Sequence, residues 1–451
     1  MQISILQDEI LRQEVFRPIH YLGSKYRILD FIEETVDKID GSKGRVCDLF
    51  AGSCSVAFKL AHSRPVIAAD VQEYSRVIGS ALLLASPKPP DNIAAAFRSL
   101  ERISELNHAI KPLVDYEENC LKQAVEKNVL PLCDLIEHGS VIAYQLQGSK
   151  ASDELSTLLS DTIKRLKKAN LFDGTQALAV KYFGGLYFSY HQASQIDSIL
   201  YYISEVADQP VQNLLLASLL STVSEAVNTV GKQFAQPLRA YNSDGHPKSG
   251  VAKAAFKDRT KDLFREFEKW VRRYSDVPSF SHSNLVRRSD YIETLDHLPS
   301  DTSLIYADPP YTRDHYSRFY HVLETLCLRD NPSVSKNTAN GVTQISRGIY
   351  RSERHQSPFC IKSQAPVAFE NLFKKSLQSD CQLLVSYSPF DESKKSHPRL
   401  LTLTDLLALA KKYYRNVEIL SPGKFSHSKL NHSDKHLHSS DEAEVLIACL
   451  L

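Results

Sequence analysis

An α/β fold is predicted, a doubly wound, Rossmann-like domain interrupted by a large and mainly helical insert, on three observations. A short apolar run, a small-residue turn, a helical pattern and a second apolar run ending in an acid follow one another early in the chain. From about residue 81 to 275 that alternation gives way to helical patterns alone. Short strand-like runs separated by helical candidates then return and continue to the end.

The first unit is "GRVCDLFAGSCSVAFKLA", residues 44–61, with Val56, Leu60 and Ala61 at helical spacing, followed by "PVIAADVQEYS", whose apolar run ends at Asp70. In the middle, "VQNLLLASLLSTVSEAVNTVG" reads as one helix, and Phe256, Leu263, Phe264, Phe267, Trp270, Val271 and Tyr274 read as an amphipathic helical run. The later strands are expected at "TSLIYAD", "CQLLVSYSPF", "RNVEILSP" and "EAEVLIACL", with helices at "FENLFKKSLQ" and "TLTDLLALAKKYY". The expected organisation is a discontinuous catalytic domain, residues 1–80 plus 281–451, around an insert spanning 81–280.

With 451 residues, 43% hydrophobic and 24% charged, and a formal net charge of +1, the chain has the composition of a globular protein with a large core. No stretch is long and apolar enough to cross a bilayer, and "MQISILQDEILRQEV" lacks the charged start and apolar core of a signal peptide, so a cytoplasmic location is expected. The eight cysteines form no CxxC pair, and reduced thiols with no cysteine metal site are expected. Positive charge gathers unevenly, around residues 232–259 and again from Lys336 to Lys362, where Arg347, Arg351 and Arg354 stand in a polar stretch. Such clustering, rather than net charge, is what a nucleic-acid contact requires.

Four short stretches carry chemistry. "DLFAGS", Asp48 to Ser53, falls at the strand-to-helix turn where parallel-sheet proteins hold nucleotides, and its small residues permit close backbone approach. Asp70 ends the next strand, placed to accept from ribose hydroxyls; without a third glycine the turn suits an adenosine ligand without phosphates better than a dinucleotide. In "HYLGSKY", Lys25 follows a Gly-Ser turn and opens a helix, where its ammonium and the helix amides could hold a carboxylate. Asp308-Pro309-Pro310-Tyr311 follows an apolar run; each proline removes a donor and stiffens the turn, leaving the Asp308 carboxylate and the Pro309 carbonyl as acceptors beside an aromatic ring.

Together, "YLGSKY", "DLFAGSCSVA", the Asp70 strand end and "ADPPY" resemble, in that order, the alpha-group adenine-specific DNA methyltransferases. The resemblance implies S-adenosylmethionine as cofactor, bound by Tyr21, Gly23, Ser24 and Lys25, by Asp48, Phe50, Ala51, Gly52 and Ser53, by Asp70 and Val71, and beside Asp308. It implies that Asp308, Pro309, Pro310 and Tyr311 form the catalytic motif and that Tyr311 stacks on the target base. Asp290, in "RRSDYIETL", is similar to the family's additional acid near the adenine pocket, and Arg347, Arg351 and Arg354 are the candidates for DNA contact. "YFGGLYFSYHQA" and "NTVGKQFAQ" look similar to segments of restriction-system modification enzymes. The sequence departs from the family loop at Cys54, where a second glycine is usual.

The function expected is methyl transfer to the 6-amino group of an adenine flipped out of duplex DNA, in a restriction-modification or phage-defence setting, with a cognate nuclease or defence-system proteins as further partners. Adenine in RNA is an alternative substrate, and a DNA-binding specificity subunit without catalysis is an alternative role, against which the intact Asp308, Tyr311 and Asp70 count. The histidines His427, His432, His436 and His438 of the tail match no standard zinc spacing and are expected in a loop before the last strand.

Overall fold

The structure, a computed structural model, describes residues 16–84, 88, 89, 93, 101–148, 150–339, 341–389, 399–422 and 444–451. The N-terminal segment leads through a tight turn into α1 (Leu29–Ile39), then β1 (Arg45–Leu49), α2 (Ser55–Leu60), β2 (Val66–Asp70) and α3 (Glu73–Leu83). Helices follow without a strand among the described residues: α4 (Glu101–Val125), α5 (Leu130–His138), α6 (Val141–Gln147), α7 (Asp153–Lys168), α8 (Leu178–Tyr182), α9 (Tyr190–Glu205), α10 (Gln209–Ala226), α11 (Val251–Arg259) and α12 (Leu263–Ser275). The chain then returns to the sheet through β3 (Leu285–Arg288), α13 (Tyr291–Asp296) and β4 (Thr302–Ala307), and continues with α14 (Tyr316–Phe319), α15 (His321–Leu328) and the hairpin β5 (Lys336–Ala339) and β6 (Val342–Ile345). It closes with α16 (Ala365–Gln378), β7 (Gln382–Tyr387), α17 (Leu403–Tyr413), β8 (Asn416–Leu420) and β9 (Val445–Leu450).

Seven strands form one sheet in the order β3-β2-β1-β4-β7-β9-β8. The first five are parallel, and β9 runs antiparallel between β7 and β8. The chain builds outward from β1 to β3 and then crosses back to lay β4 on the other side of β1. That reversal opens a crevice beyond the carboxyl ends of β1 and β4, where such sheets hold their ligands. Alternation along the strands feeds two cores. Cys47, Leu49, Ile67, Ile305 and Leu383 face one way, against Phe369 and Phe373 of α16 and Leu406 of α17. Val46, Val66, Leu304 and Leu384 face the other, toward α1 and α3, and this second core continues into the middle helices through Leu214, Leu219 and Val223 of α10. Both faces of the parallel sheet are therefore covered.

Every predicted strand is present, and β3 and the β5–β6 hairpin are additions. β3 was illegible because it is four residues long, sits at the sheet edge and ends in two arginines, so it shows neither a buried run nor alternation. The amphipathic run from Phe256 to Tyr274 is two helices rather than one. Asp262 interrupts it by accepting from the Phe264 amide as an N-cap, and Phe256 is left exposed. The histidine tail lies outside the described residues.

The two stretches "YFGGLYFSYHQA" and "NTVGKQFAQ" meet around Arg259 at the end of α11. Its guanidinium donates to Gly185 O (2.9 Å) and Asn228 Oδ1 (3.1 Å) and pairs with Glu117 of α4 at 2.7 Å, both charges almost fully buried. Glu117 also accepts the Tyr190 amide (2.7 Å), which ties α4 to the start of α9. Removing one partner of such a pair strands the other without water. Arg259→Leu is expected to cost about 3–5 kcal/mol of stability, read as a lowered urea midpoint.

Candidate active site

β4 delivers Asp308 to the mouth of the crevice, and Pro309 and Pro310 end the strand there. The Asp308 carboxylate is held by a lysine from the far N-terminal segment: Lys25 Nζ lies 2.7 Å from Asp308 Oδ2 and 2.7 Å from Glu444 Oε1, and donates to Gly23 O at 3.1 Å. Lys25 and Glu444 are almost wholly buried, whereas Asp308 is about a quarter exposed. Burial alone would weaken the ammonium, but Asp308 and Glu444 outweigh it and hold its pKa well above the usual lysine value. Burial pushes Asp308 up to about 6, and Glu444 pushes the same way against the pull of Lys25, so at neutral pH the carboxylate is ionised.

The N-terminal motif is fixed to the stretch after DPPY. Tyr21 stacks on Tyr320 with ring centroids 4.8 Å apart, the Leu22 amide donates to Tyr320 Oη (2.7 Å), and a Cβ on Gly23 would stand 3.0 Å from Tyr316 Oη. The loop after β1 is fixed to β2: the amides of Phe50 and Ala51 both donate to Ala69 O (3.0 Å), and the Gly52 amide donates to Asp70 Oδ2 (2.9 Å). Asp70 Oδ1 accepts the Gln72 amide (2.8 Å). Burial raises the Asp70 pKa, opposed by those backbone donors. Asp48 lies outside the cavity lining, accepting the Ala57 amide (2.9 Å) at the start of α2; burial raises its pKa to about 7.

A cavity of about 350 Å³ fills the crevice. Its lining runs from Asp290, Tyr291 and Asp70 at one end, past Phe50 and Phe359, to Asp308, Pro310, His315 and Tyr316 at the other. Phe50 stacks on Tyr291 (6.0 Å) and meets Phe359 edge-on (5.2 Å), so this wall is a set of braced aromatic faces. Aromatic slab, ribose-type acceptor and strand-end acid together make a chamber for a flat polar ring system with a reactive group near Asp308.

Residues 21–135 and 153–385 match the model of the D12 class N6 adenine-specific DNA methyltransferase family, which is most of the chain. The chain belongs to that family. Relatives of this D12 methyltransferase family chain include modification methylase LlaI of Lactococcus lactis subsp. lactis, 24% identical over 88% of this chain and 49% of LlaI. The type II methyltransferase M.CviAII of Paramecium bursaria Chlorella virus 1 is also 24% identical, over 88% of both chains, and M.FokI of Planomicrobium okeanokoites is 27% identical over 45% of this chain and 27% of its own. The chain thus spans about half the length of LlaI and nearly all of M.CviAII.

Within this D12 family chain the sequence-predicted residues divide in two. Tyr21, Phe50, Asp70, Val71, Asp290, Asp308 and Pro310 line the cavity, whereas Gly23, Ser24, Lys25, Asp48, Ala51, Gly52 and Ser53 stand behind it as its frame. Lys25 was expected to offer its ammonium to a ligand carboxylate; its contacts with Asp308, Glu444 and the Gly23 carbonyl use the three donors it has. Gly52 was expected to leave room for a ligand, but the space over it is filled by Tyr21, whose hydroxyl would lie 2.5 Å from an added Cβ. Cys54 takes the left-handed conformation a glycine would (φ 58°, ψ 21°) and turns its sulfur toward Ser75, so the loop keeps its shape.

Tyr311 packs against Tyr387 (5.2 Å) and beneath the Arg399 guanidinium (4.5 Å) rather than on the cavity lining. The basic loop is largely committed to the fold. Arg347 donates to Pro237 O, Leu238 O and Glu137 Oε2 (2.9 Å), and Arg351 is buried against Asp330 (2.7 Å), so neither offers a free guanidinium to phosphate. Arg354 lies over the Tyr350 ring (5.5 Å), and no carboxylate pairs with it among the described residues. Sequence reading missed Glu444, Tyr291, Phe359, His315 and Tyr316. Only the aromatic density of "RDHYSRFYH" after DPPY signalled any of them, namely His315 and Tyr316.

Gly52 is at φ +53° and sits beneath a braced tyrosine. Gly52→Ala is therefore expected to lose about 1–3 kcal/mol of stability and to displace Tyr21, read as a lower melting temperature by calorimetry and altered tyrosine fluorescence.

Proposed function

We propose that this chain transfers a methyl group from S-adenosylmethionine to the 6-amino nitrogen of an adenine flipped out of duplex DNA. The observation that carries the reading is a single cavity with Asp70 at one end and Asp308 at the other, on the strands flanking β1, in a chain of an adenine methyltransferase family. The residues present fit the adenosyl group: the Asp70 oxygens accept backbone N–H groups and retain capacity to accept from a ligand, and Phe50, Tyr291 and Phe359 supply flat faces. Asp290 belongs with that end by strand order, since β2 and β1 separate β3 from β4; we assign it to the cofactor rather than to the target base.

When bound, S-adenosylmethionine supplies an activated methyl group on sulfur. The residues of this chain supply orientation and charge. The Asp308 carboxylate and the Pro309 carbonyl accept the two amino hydrogens of adenine, which favours the pyramidal nitrogen needed for attack, and Asp308 stabilises the positive charge developing there. Tyr311 stands outside the cavity lining, braced by Arg399 and Tyr387, and we assign it to meet the base at the rim beside Asp308, where stacking of this kind contributes about 1–3 kcal/mol. Alignment of the two reactants accounts for up to roughly 7–11 kcal/mol of the barrier. The helical segment 81–280 is assigned to target recognition, with Arg354 as a DNA contact. The names of the relatives, a modification methylase and a type II methyltransferase, support a modification role, which we place in the cytoplasm beside a restriction nuclease.

Modification-sensitive long-read sequencing of DNA from cells expressing the wild type or Asp308→Ala tests the reading. Methylated adenine in one short motif with the wild type, and none with Asp308→Ala, is expected; unmodified DNA in both would reject it and turn attention to RNA. Because Asp308 acts in its ionised form and titrates near 6, the single-turnover rate is expected to be flat above that pH and to fall about tenfold per unit below it, as protonation removes the acceptor.

A further inference from the structure

Glu444 stands at the start of β9, outside the residues that match the family. It is buried, accepts from Ser386 Oγ on the neighbouring β7, and lies 2.7 Å from the same Lys25 nitrogen that holds Asp308. A carboxylate buried there for stability alone would be costly, since one ammonium then serves it and Asp308 together. Its position suggests another use. Asp308 must leave Lys25, at least in part, to accept hydrogens from a substrate amino group. An ammonium left alone in a buried site would resist that change, whereas one that retains a second carboxylate does not.

We propose that Glu444 is a positioning residue for Asp308: it keeps the Lys25 ammonium paired, so that Asp308 is free to turn to the target amino group. This inference rests on the methyl-transfer reading above. Among the described residues, the other titratable groups around Asp308 and Lys25 are Asp48 from β1, Tyr306 from β4, Tyr311 beyond it, Tyr316 from α14, and His315 at the same end of the cavity, whose pKa burial lowers below the usual imidazole value. The three tyrosines are neutral across the range where Asp308 titrates, because burial raises each of them. The Asp308 charge helps raise the Asp48 pKa, and Asp48 forms no ion pair with Lys25 among the described residues.

The test compares wild type, Glu444→Gln and Glu444→Asp by two readouts. One is the carboxyl-carbon resonance of Asp308 in cofactor-free protein labelled at aspartate and assigned with Asp308→Asn. The other is the acid limb of single-turnover methyl transfer. In Glu444→Gln, Lys25 belongs to Asp308 alone, so the Asp308 titration and the acid limb are both expected to move down by about half a pH unit or more. The rate above the limb is expected to fall roughly tenfold, because the carboxylate is held away from the base. Glu444→Asp keeps the charge and is expected to keep the limb near its wild-type position, which a purely structural role would not predict. An unmoved Asp308 titration in folded Glu444→Gln overturns the inference. If that variant does not fold, Ser386→Ala replaces it: without the Ser386 hydroxyl, Glu444 pulls harder on Lys25, the titration is expected to rise, and no movement overturns the inference. The resonance readout needs no catalysis, so a wild type that transfers no methyl group at any pH rejects the methyl-transfer reading separately, and with it the role proposed for Glu444.

Discussion

The ion pair between Lys25 and Asp308 ties together segments that are far apart in sequence. Lys25 comes from the stretch before the first strand, Asp308 from the end of β4 and Glu444 from the start of β9, and one ammonium closes all three at the floor of the cavity. Among the described residues the N-terminal segment is not a strand of the sheet; these contacts, those of Tyr21 and Leu22 with Tyr320, and the bond from the His20 amide to Ser224 Oγ help to hold it over the crevice. Ion pairs of this kind are poor sources of net stability, because desolvation consumes most of the Coulombic gain. They are better sources of position, since pairing both acids with one ammonium requires the three segments to meet.

Position is also where the loop after β1 spends its conformational strain. Phe50 and Cys54 both take positive φ, uncommon for side chains of their size, and Gly52 between them does the same. The arrangement persists because it is over-determined: two amides of the loop converge on Ala69 O, the Gly52 amide on Asp70, and the Ala57 amide on Asp48. The result swings the Phe50 ring into the wall of the cavity. Cys54 in place of glycine costs some strain, and its thiol fills a niche between Ser75 and Gly79, where a glycine would leave a gap.

Strand type and order of motifs were legible because buried parallel strands are short continuous apolar runs with acids at their ends, a pattern that survives without any partner information. The cavity residues carried by those ends, Asp70 and Asp308, were legible for the same reason. What was not legible depends on contacts between remote segments. Lys25 looks like an exposed helix-start lysine until β9 supplies Glu444. Arg351 looks like a solvated loop charge until Asp330 folds against it. Gly52 reads as room for a ligand until Tyr21 arrives from the N-terminal segment. In each case local composition gave the residue type correctly, and only the tertiary partner decided whether its charge or its space was free.

The same partners decide what can enter. Asp70, Asp290 and Asp308 all reach the cavity lining, and among the described residues no lysine or arginine does. A low-dielectric chamber lined by carboxylates repels phosphate and favours a cation or a neutral ring with hydrogens to donate. A sulfonium cofactor and a flipped adenine both meet that condition, whereas a pyrophosphate-bearing dinucleotide does not. Lys25, though it sits immediately behind Asp308, does not relieve the repulsion, because its charge is already balanced by Glu444. The phosphates of any nucleic acid served by this site must therefore be met outside the cavity, on the surrounding rim, while the base alone passes the acids.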